Sequence, residues 1–428
     1  MDSVILTPAQ KQMEATVRVP GSKSVTNRAL ILGALTNNPV TIINPLWSED
    51  TEAMVNCLNR LGIKTIHCKE SIHVAGSIQD VRDNSFDIDA HDSGTTIRFI
   101  SALCCITQGK KRIFGSSALN QRPIGDLVDA LRQMGAEIEY EATEGYPPIC
   151  IKSNSFKRNS IVMKADISSQ YVSALLMIGP VIDGLEIKLF THQISRSYIN
   201  LTIDMMSEWG VKVKNDNYRS YSIASKQSYS RDEYRVEGDY SAACYFAAIA
   251  ALTHSKVTLK NLNKKTNQGD KAFFDILSSM GTDVAYHPNE ITVQGHGVAP
   301  VKVDMELCPD QAQTLAVLAA FAKGTTLIRG VRSLRVKETE RVKAVQSELS
   351  KMNITTESPD KDTLIIHGGT PRPATINTFN DHRMAMSFAI AGSKLNGMKI
   401  NEPQVVNKTF PGFWNSLQDI GVVVGYTP

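Results

Sequence analysis

The chain has 428 residues, 42% of them apolar, with 46 basic side chains against 43 acidic ones for a net charge of +3. That length exceeds what one hydrophobic core supports and points to two domains. The near-balance of charge excludes a dedicated nucleic-acid binder and an acidic disordered protein, so any anion site must arise by local clustering.

At the N-terminus, Met1-Asp2-Ser3-Val4-Ile5 lacks the basic and apolar regions of a signal peptide. No apolar run approaches the roughly 20 residues of a membrane span. The seven cysteines (57, 68, 104, 105, 150, 244, 308) form no CxxC pair, and the nine histidines show no metal-ligand spacing. A cytoplasmic protein with no metal, no membrane and no nucleic-acid partner is expected.

Pro20-Gly21 stops the first segment. Ser22 or Ser24 can then cap a helix carrying Lys23 at its mouth and Arg28 four residues beyond Ser24, on the same face. Backbone N–H groups, a hydroxyl and two cations so gathered suit a phosphate or carboxylate; two solvated cations on an ordinary capped helix are the plainer alternative.

Similar helix starts follow down the chain at Ser93-Gly94, Ser168-Ser169-Gln170, Gly238-Asp239, Pro309-Asp310-Gln311 and Asn380-Asp381-His382-Arg383. Taken at 24, 94, 169, 239, 310 and 381, they are spaced 70, 75, 70, 71 and 71 residues apart, each with a capping side chain before an Ala-rich apolar helix. Ala242–Leu252 and Ala316–Ala322 read as buried helices. A second helix type ends in an apolar residue followed by Gly62, Gly135, Gly210, Gly281, Asn353 or Gly421, at steps of 73, 75, 71, 72 and 68. Gly or Asn is what a left-handed helix stop favours. These second helices open with Asp50, Arg122, Ser195, Asp270, Lys337-Glu338 and Lys408. Alternating segments such as Ala136–Tyr140 and Val211–Lys214 read as strands.

One unit of about 71 residues is thus used six times, too long for a solenoid repeat and suited to a compact α/β subdomain. Two domains of three units each are expected, with a linker near Lys226–Tyr234 and the Ala-rich helix starts of both halves facing a common cleft. Caps alone recur because helices need caps; they do not explain why Lys23, Arg28, Arg98, Arg122, Lys337, Arg341, Arg383 and Lys408 gather at these starts.

Nine segments in order resemble the enolpyruvyl transferase family from end to end. They are Pro-Gly-Ser-Lys-Ser-Val-Thr-Asn-Arg (20–28), Ser-Gly-Thr-Thr-Ile-Arg (93–98), Gln-Arg-Pro-Ile-Gly-Asp-Leu-Val-Asp-Ala-Leu (121–131) and Ser-Ser-Gln-Tyr (168–171) in the first half. The second half carries Val-Glu-Gly-Asp-Tyr-Ser (236–241), Pro-Asp-Gln-Ala (309–312), Arg-Val-Lys-Glu-Thr-Glu-Arg (335–341), Asn-Asp-His-Arg-Met-Ala (380–385) and Asn-Lys-Thr-Phe-Pro (407–411). The resemblance implies an α/β fold of two similar domains, each of three βαβαββ units, the inside-out α/β barrel. The expected domains are 20–233 and 1–19 with 234–428, with hinge crossings near 15–20 and 226–236.

It also implies transfer of the enolpyruvyl group of phosphoenolpyruvate to the 5-hydroxyl of shikimate 3-phosphate by a cofactor-free monomer that closes on its substrates. Phosphoenolpyruvate would be held by Lys23, Gly94, Arg122, Gln170, Arg341, Arg383 and Lys408. Shikimate 3-phosphate would be held by Lys23, Ser24, Arg28, Ser168, Ser169, Gln170, Ser195, Tyr198, Asp310 and Lys337. Asp310 would act as base, Glu338 as proton donor, and Lys23 would bridge both substrates.

His382 stays outside the catalytic set, and Asp239 and Asp270 are expected to cap helices. Ser333 stands where some members carry an Asn against shikimate 3-phosphate, and Phe99 follows Arg98 where Pro is frequent. The rival acceptor within the fold is UDP-N-acetylglucosamine, whose transferases usually carry a reactive Cys before the Arg-Pro; Phe114–Arg122 has none. A non-catalytic anion-binding protein of the same fold is the other alternative.

Overall fold

The computed structural model describes residues 2–82, 84–152 and 156–427. The chain divides into two compact units, Gly21–Val236 and Met1–Pro20 with Glu237–Pro428. Strands β1 (Ser3–Thr7) and β2 (Glu14–Arg18) come first, then α1 (Lys23–Ala34), β3 (Val40–Ile43), α2 (Glu49–Arg60), β4 (Thr65–Cys68) and β5 (Ser71–Val74). Next are β6 (Phe86–Asp89), α3 (Gly94–Cys105), β7 (Lys110–Phe114), α4 (Gly125–Met134), β8 (Glu137–Tyr140) and β9 (Ile149–Lys152). The third group is β10 (Ser160–Met163), α5 (Ser169–Ile178), β11 (Leu185–Leu189), α6 (Arg196–Glu208), β12 (Val213–Asp216) and β13 (Ser220–Ile223).

After β14 (Glu233–Arg235) the pattern resumes with α7 (Tyr240–Thr253), β15 (Lys256–Lys260), α8 (Ala272–Ser279), β16 (Asp283–Tyr286) and β17 (Glu290–Gln294). Then follow β18 (Lys302–Asp304), α9 (Ala312–Phe321), β19 (Gly324–Arg329), α10 (Arg341–Lys351), β20 (Thr355–Glu357) and β21 (Thr363–Gly368). The chain closes with β22 (Thr375–Ile376), α11 (His382–Gly392), β23 (Met398–Asn401), α12 (Phe413–Asp419) and β24 (Val423–Thr427).

Among the described residues these strands form six four-stranded sheets of one design. In β6-β7-β9-β8 the first pair is parallel, as a crossover through a helix requires, and the other two are antiparallel. The sheet β10-β11-β13-β12 repeats it, as does β18-β19-β21-β20. The other three are completed by distant strands. β14 pairs parallel with β3, β2 pairs parallel with β15, and β1 lies between β23 and β24. Each sheet is thus one βαβαββ unit, three per compact unit, with β1 and β2 serving the unit that also holds the C-terminal half.

The first helix of each repeat is apolar nearly all round and is buried accordingly, every residue of α3 and α11 included. In the C-terminal unit α7, α9 and α11 pack on one another, and each compact unit has its own continuous apolar core. The second helices keep one polar face. All six of their expected stops take positive φ: Gly62 94°, Gly135 110°, Gly210 92°, Gly281 101°, Asn353 63° and Gly421 98°.

Side-chain caps form at four of the six first helices. Ser93, Ser168, Asp239 and Asp381 accept from the N–H of Thr96, Gln170, Ala242 and Arg383. Two starts differ. The Ser22 side chain makes no cap bond, because Thr26 takes over that corner by donating to the Ser22 carbonyl and accepting from the Leu46 N–H. Ahead of α9 a 3-10 turn, Pro309–Gln311, replaces the cap and leaves the Asp310 carboxylate to the guanidinium groups of Arg341 and Arg383. Among the described residues no helix is long and apolar enough to cross a membrane.

Candidate active site

In the N-terminal unit the expected residues gather at the N-termini of α1, α3 and α5 and at the start of α6. Lys23 opens α1 and its Nζ lies 3.1 Å from Asp50 Oδ2 at the head of α2. Arg28, one turn further on, is buried: Nε donates to Thr202 Oγ1 at 2.8 Å, Nη1 to the Ser24 carbonyl at 3.0 Å, and Nη2 to the Tyr198 carbonyl at 3.2 Å and Ser173 Oγ at 3.4 Å. Four of the five donors a guanidinium owns are thus used within the protein, which ties Ser24 to Tyr198. Burial lowers the Arg28 pKa to about 10, which leaves it charged at neutral pH. Ser195 sits in the left-handed region (φ 49°) as N-cap of α6, its carbonyl accepting from the Tyr198 N–H.

Gly94 begins α3, and a Cβ built there would lie 2.8 Å from Cζ, Nη1 and Nη2 of Arg122. The absent side chain is what lets that guanidinium lie flat on the helix end. Ser168 caps α5, and Ser169 and Gln170 form its first turn. The Gln170 amide is held at both ends: Arg98 Nη1 donates to its Oε1, and its Nε2 donates to Thr95 Oγ1 at 3.1 Å. Arg98 is itself fixed by the Pro123 carbonyl, 3.2 Å from Nη2, and by the Tyr171 ring beneath it.

In the C-terminal unit a denser cluster forms. Arg341, fully buried at the first position of α10, donates Nε to Asp381 Oδ2 at 2.7 Å, Nη1 to Asp310 Oδ1 at 3.0 Å and Nη2 to Glu338 Oε2 at 2.7 Å. Arg383 donates Nη2 to Asp310 Oδ2 at 3.1 Å and Nη1 to the Asp310 carbonyl at 3.3 Å. Lys337 Nζ lies 3.9 Å from Asp310 Oδ1. Lys408 ends the 3-10 turn Pro403–Lys408, with little of it exposed. His382 is buried with Nδ1 3.7 Å from Asp381 Oδ1. Ser333 lies in the turn Arg332–Val336.

Burial alone would raise the Asp310 pKa, but Arg383, Lys337 and Arg341 outweigh it and hold the carboxyl well below the usual range. The three carboxylates around Arg341 keep that guanidinium charged beyond its ordinary value. Such a cluster is a cationic seat lined by carboxylates, able to bind an anion and to move a proton beside it.

Sequence reasoning missed several contributors. Asp50 was read only as the polar start of a helix and Asp381 only as a cap, yet each grips an expected ligand residue. Thr95 was not singled out, and Arg98 only as a cation at a helix start, yet together they fix Gln170. Asp270 does not cap α8, whose N-cap is Lys271; its side chain turns inward to Ser241 and Gln311, because the short turn Gly269–Lys271 buries it. Among the described residues no group of three or more His, Cys, Asp or Glu side chains could hold a metal ion.

Comparison with known proteins bears on the family of the chain. The family described as EPSP synthase (3-phosphoshikimate 1-carboxyvinyltransferase) matches residues 8–417. The 3-phosphoshikimate 1-carboxyvinyltransferase of Shewanella amazonensis is 36% identical over 427 residues, covering 98% of this chain and 99% of its own length. That of Burkholderia vietnamiensis is 37% identical, covering 97% and 98%. The solved EPSP synthase of Acinetobacter baumannii superposes with a TM-score of 0.82 at 24% identity over the whole of both chains, which supports the fold. With sequence likeness running the length of the chain and the repeat architecture shared, this protein belongs to the EPSP synthase family.

Proposed function

We propose that the enzyme transfers the enolpyruvyl group of phosphoenolpyruvate to the 5-hydroxyl of shikimate 3-phosphate and releases phosphate. The observation that carries this reading is Asp310 held between Arg341, Arg383 and Lys337 with Glu338 on the same guanidinium. Two phosphates and two carboxylates, roughly −5 to −6 in charge, call for such concentrated cations.

Phosphoenolpyruvate is bound by Lys23, Arg122, Arg341, Arg383 and Lys408, with Gly94 and Gln170 beside it. Shikimate 3-phosphate is bound by Lys23, Ser24, Ser168, Ser169, Gln170, Ser195, Tyr198, Asp310 and Lys337. Arg28 supplies positive charge and holds Ser24 and Tyr198 in place, since most of its donors are already used.

In the addition step the 5-hydroxyl oxygen bonds to C2 of phosphoenolpyruvate, Asp310 takes the hydroxyl proton, and C3 gains a proton from Glu338. In the elimination step C3 returns a proton to Glu338, the C2–O bond to phosphate breaks and the departing phosphate takes the proton from Asp310, which restores the C2=C3 double bond, now in an enol ether. A strongly acidic Asp310 is a weak base. Substrate anions seated on Arg341, Arg383 and Lys337 offset the cations that depress it, so its proton affinity rises when the reaction needs it. Glu338 accepts from Arg341 Nη2 and so shares that guanidinium with the phosphoenolpyruvate anion.

The enzyme acts as a cytoplasmic monomer on these small molecules, without cofactor, nucleic acid or membrane. Family membership, the Cys-free loop Phe114–Arg122 and the retained Asp310 and Glu338 favour this over the nucleotide-sugar acceptor and over a non-catalytic protein. Phosphate release from phosphoenolpyruvate, measured with each acceptor in turn, tests it. Stimulation by shikimate 3-phosphate alone is expected, and stimulation only by UDP-N-acetylglucosamine would overturn it.

A further inference from the structure

Asp270 is a fully buried carboxylate that the mechanism above does not use. Its Oδ2 accepts from the Ser241 hydroxyl and from Gln311 Nε2 at 3.1 Å, while Oδ1 has no hydrogen-bond partner among the described residues. Both partners lead to the catalytic cluster. Ser241 Oγ accepts from Arg383 Nη2 at 3.4 Å, and Gln311 directly follows Asp310. Arg383 Nη2 also donates to Asp310 Oδ2 at 3.1 Å. One guanidinium therefore serves two carboxylates, Asp310 directly and Asp270 through a hydroxyl.

An asparagine would accept the same two hydrogen bonds without the penalty of burying a charge. What only the aspartate adds is negative charge next to Arg383. We propose that Asp270 is a positioning residue of the transfer reaction, which holds Arg383 and the Asp310 turn through Ser241 and Gln311 and offsets the charge of Arg383 so that Asp310 can accept the hydroxyl proton. This rests on the functional reading above.

The surroundings support an electrostatic role. Facing Asp270 are Arg383 from α11, Asp310 from its turn, Cys244 and Tyr245 from α7, and Cys308 ahead of the turn. Burial pushes both thiols and the phenol upward, so they are neutral at neutral pH, and neighbouring Lys271 turns its ammonium to the Lys264 carbonyl. Burial likewise pushes the Asp270 pKa up to about 6, with Arg383 pulling it down and Asp310 adding to the rise. Above that pH its charge opposes the cations that depress Asp310; below it the opposition is lost.

The test measures kcat and KM for phosphoenolpyruvate between pH 5 and 8 on the full chain and its variants. In the unaltered enzyme kcat should fall on the acid side near pH 6. Asp270→Asn should lower kcat at neutral pH by about 10- to 100-fold, less than the roughly 100- to 10,000-fold that a general base as a whole contributes, without raising KM for phosphoenolpyruvate, and should abolish that acid limb. Ser241→Ala removes a bond that favours the ionised carboxylate, so it should move the limb to higher pH; it carries the test if Asp270→Asn does not fold. An acid limb unmoved in either variant, or a KM rising in step with the loss of kcat, would overturn the inference while leaving the activity established. No turnover by the unaltered enzyme would overturn the functional reading, and this inference with it.

Discussion

Replacing Asp310 by asparagine separates binding from chemistry. The amide matches the carboxylate in shape and its oxygen can still accept from Arg341 Nη1, but an NH2 group facing Arg383 Nη2 sets donor against donor. Arg341 keeps Asp381 and Glu338 as partners, so the buried cation is not stranded. Stability should fall by about 1–3 kcal/mol, the value of one charge-assisted bond at Arg383. The chemical step loses its base, which is worth about 100- to 10,000-fold, or roughly 3–5 kcal/mol in the barrier. Shikimate 3-phosphate loses at most one hydrogen bond, about 0.5–1.5 kcal/mol, so its dissociation constant should stay within about tenfold. Single-turnover kinetics, with calorimetric titration of shikimate 3-phosphate, read the two effects separately. A single-turnover rate within about threefold of the unaltered enzyme would remove Asp310 as the base and undo the mechanism built on it.

Other substitutions probe the rest of the cluster. Gly94→Ala should displace the Arg122 guanidinium that lies 2.8 Å from the new carbon, and raise KM for phosphoenolpyruvate more than it lowers kcat; steady-state kinetics decides. Arg28→Lys cannot replace four hydrogen bonds to Thr202, Ser24, Ser173 and Tyr198 from a single ammonium, so it should lower stability by about 1–3 kcal/mol and raise KM for shikimate 3-phosphate. Denaturant melts and acceptor titrations check the two parts. The raised Asp270 pKa means that the folded state binds a proton more tightly than the unfolded chain between pH 4 and 6, so ionised Asp270 weakens the fold above that window, by up to about 3 kcal/mol. Asp270→Asn should therefore be as stable as the unaltered enzyme or more so at pH 7.5. The difference should vanish below pH 4, as followed by thermal melts across pH.

Much of the architecture was legible because it rests on local chemistry repeated six times. Gly62, Gly135, Gly210, Gly281, Asn353 and Gly421 each needed a residue tolerant of positive φ, and each was visible as a stop at nearly constant spacing. Strand assignments were looser: β8 begins at Glu137 and β12 at Val213, one and two residues after the alternating segments start. Pairing across long separations was beyond pattern reading. That β1 completes a sheet with β23 and β24, and that β14 pairs with β3, is decided by packing between segments with no local signal.

At the site, cations were legible and their partners were not. Lys23, Arg122, Arg341 and Arg383 stood out as charges at helix starts. Of the carboxylates that grip them, Asp50 looked like the polar start of a helix and Asp381 like an ordinary cap. Asp381 does cap, and it also binds Arg341 from 40 residues away. Burial turned Asp270 from an expected cap into a neighbour of Ser241 and Gln311, beside Arg383 and Asp310.

The most direct measurement follows purified enzyme with phosphoenolpyruvate and shikimate 3-phosphate by phosphorus NMR, with the organic product weighed by mass spectrometry. The account predicts one inorganic phosphate released for each enolpyruvyl ether of shikimate 3-phosphate formed, and no phosphate without that acceptor. Phosphate released from phosphoenolpyruvate alone, or in excess of the ether, would contradict it.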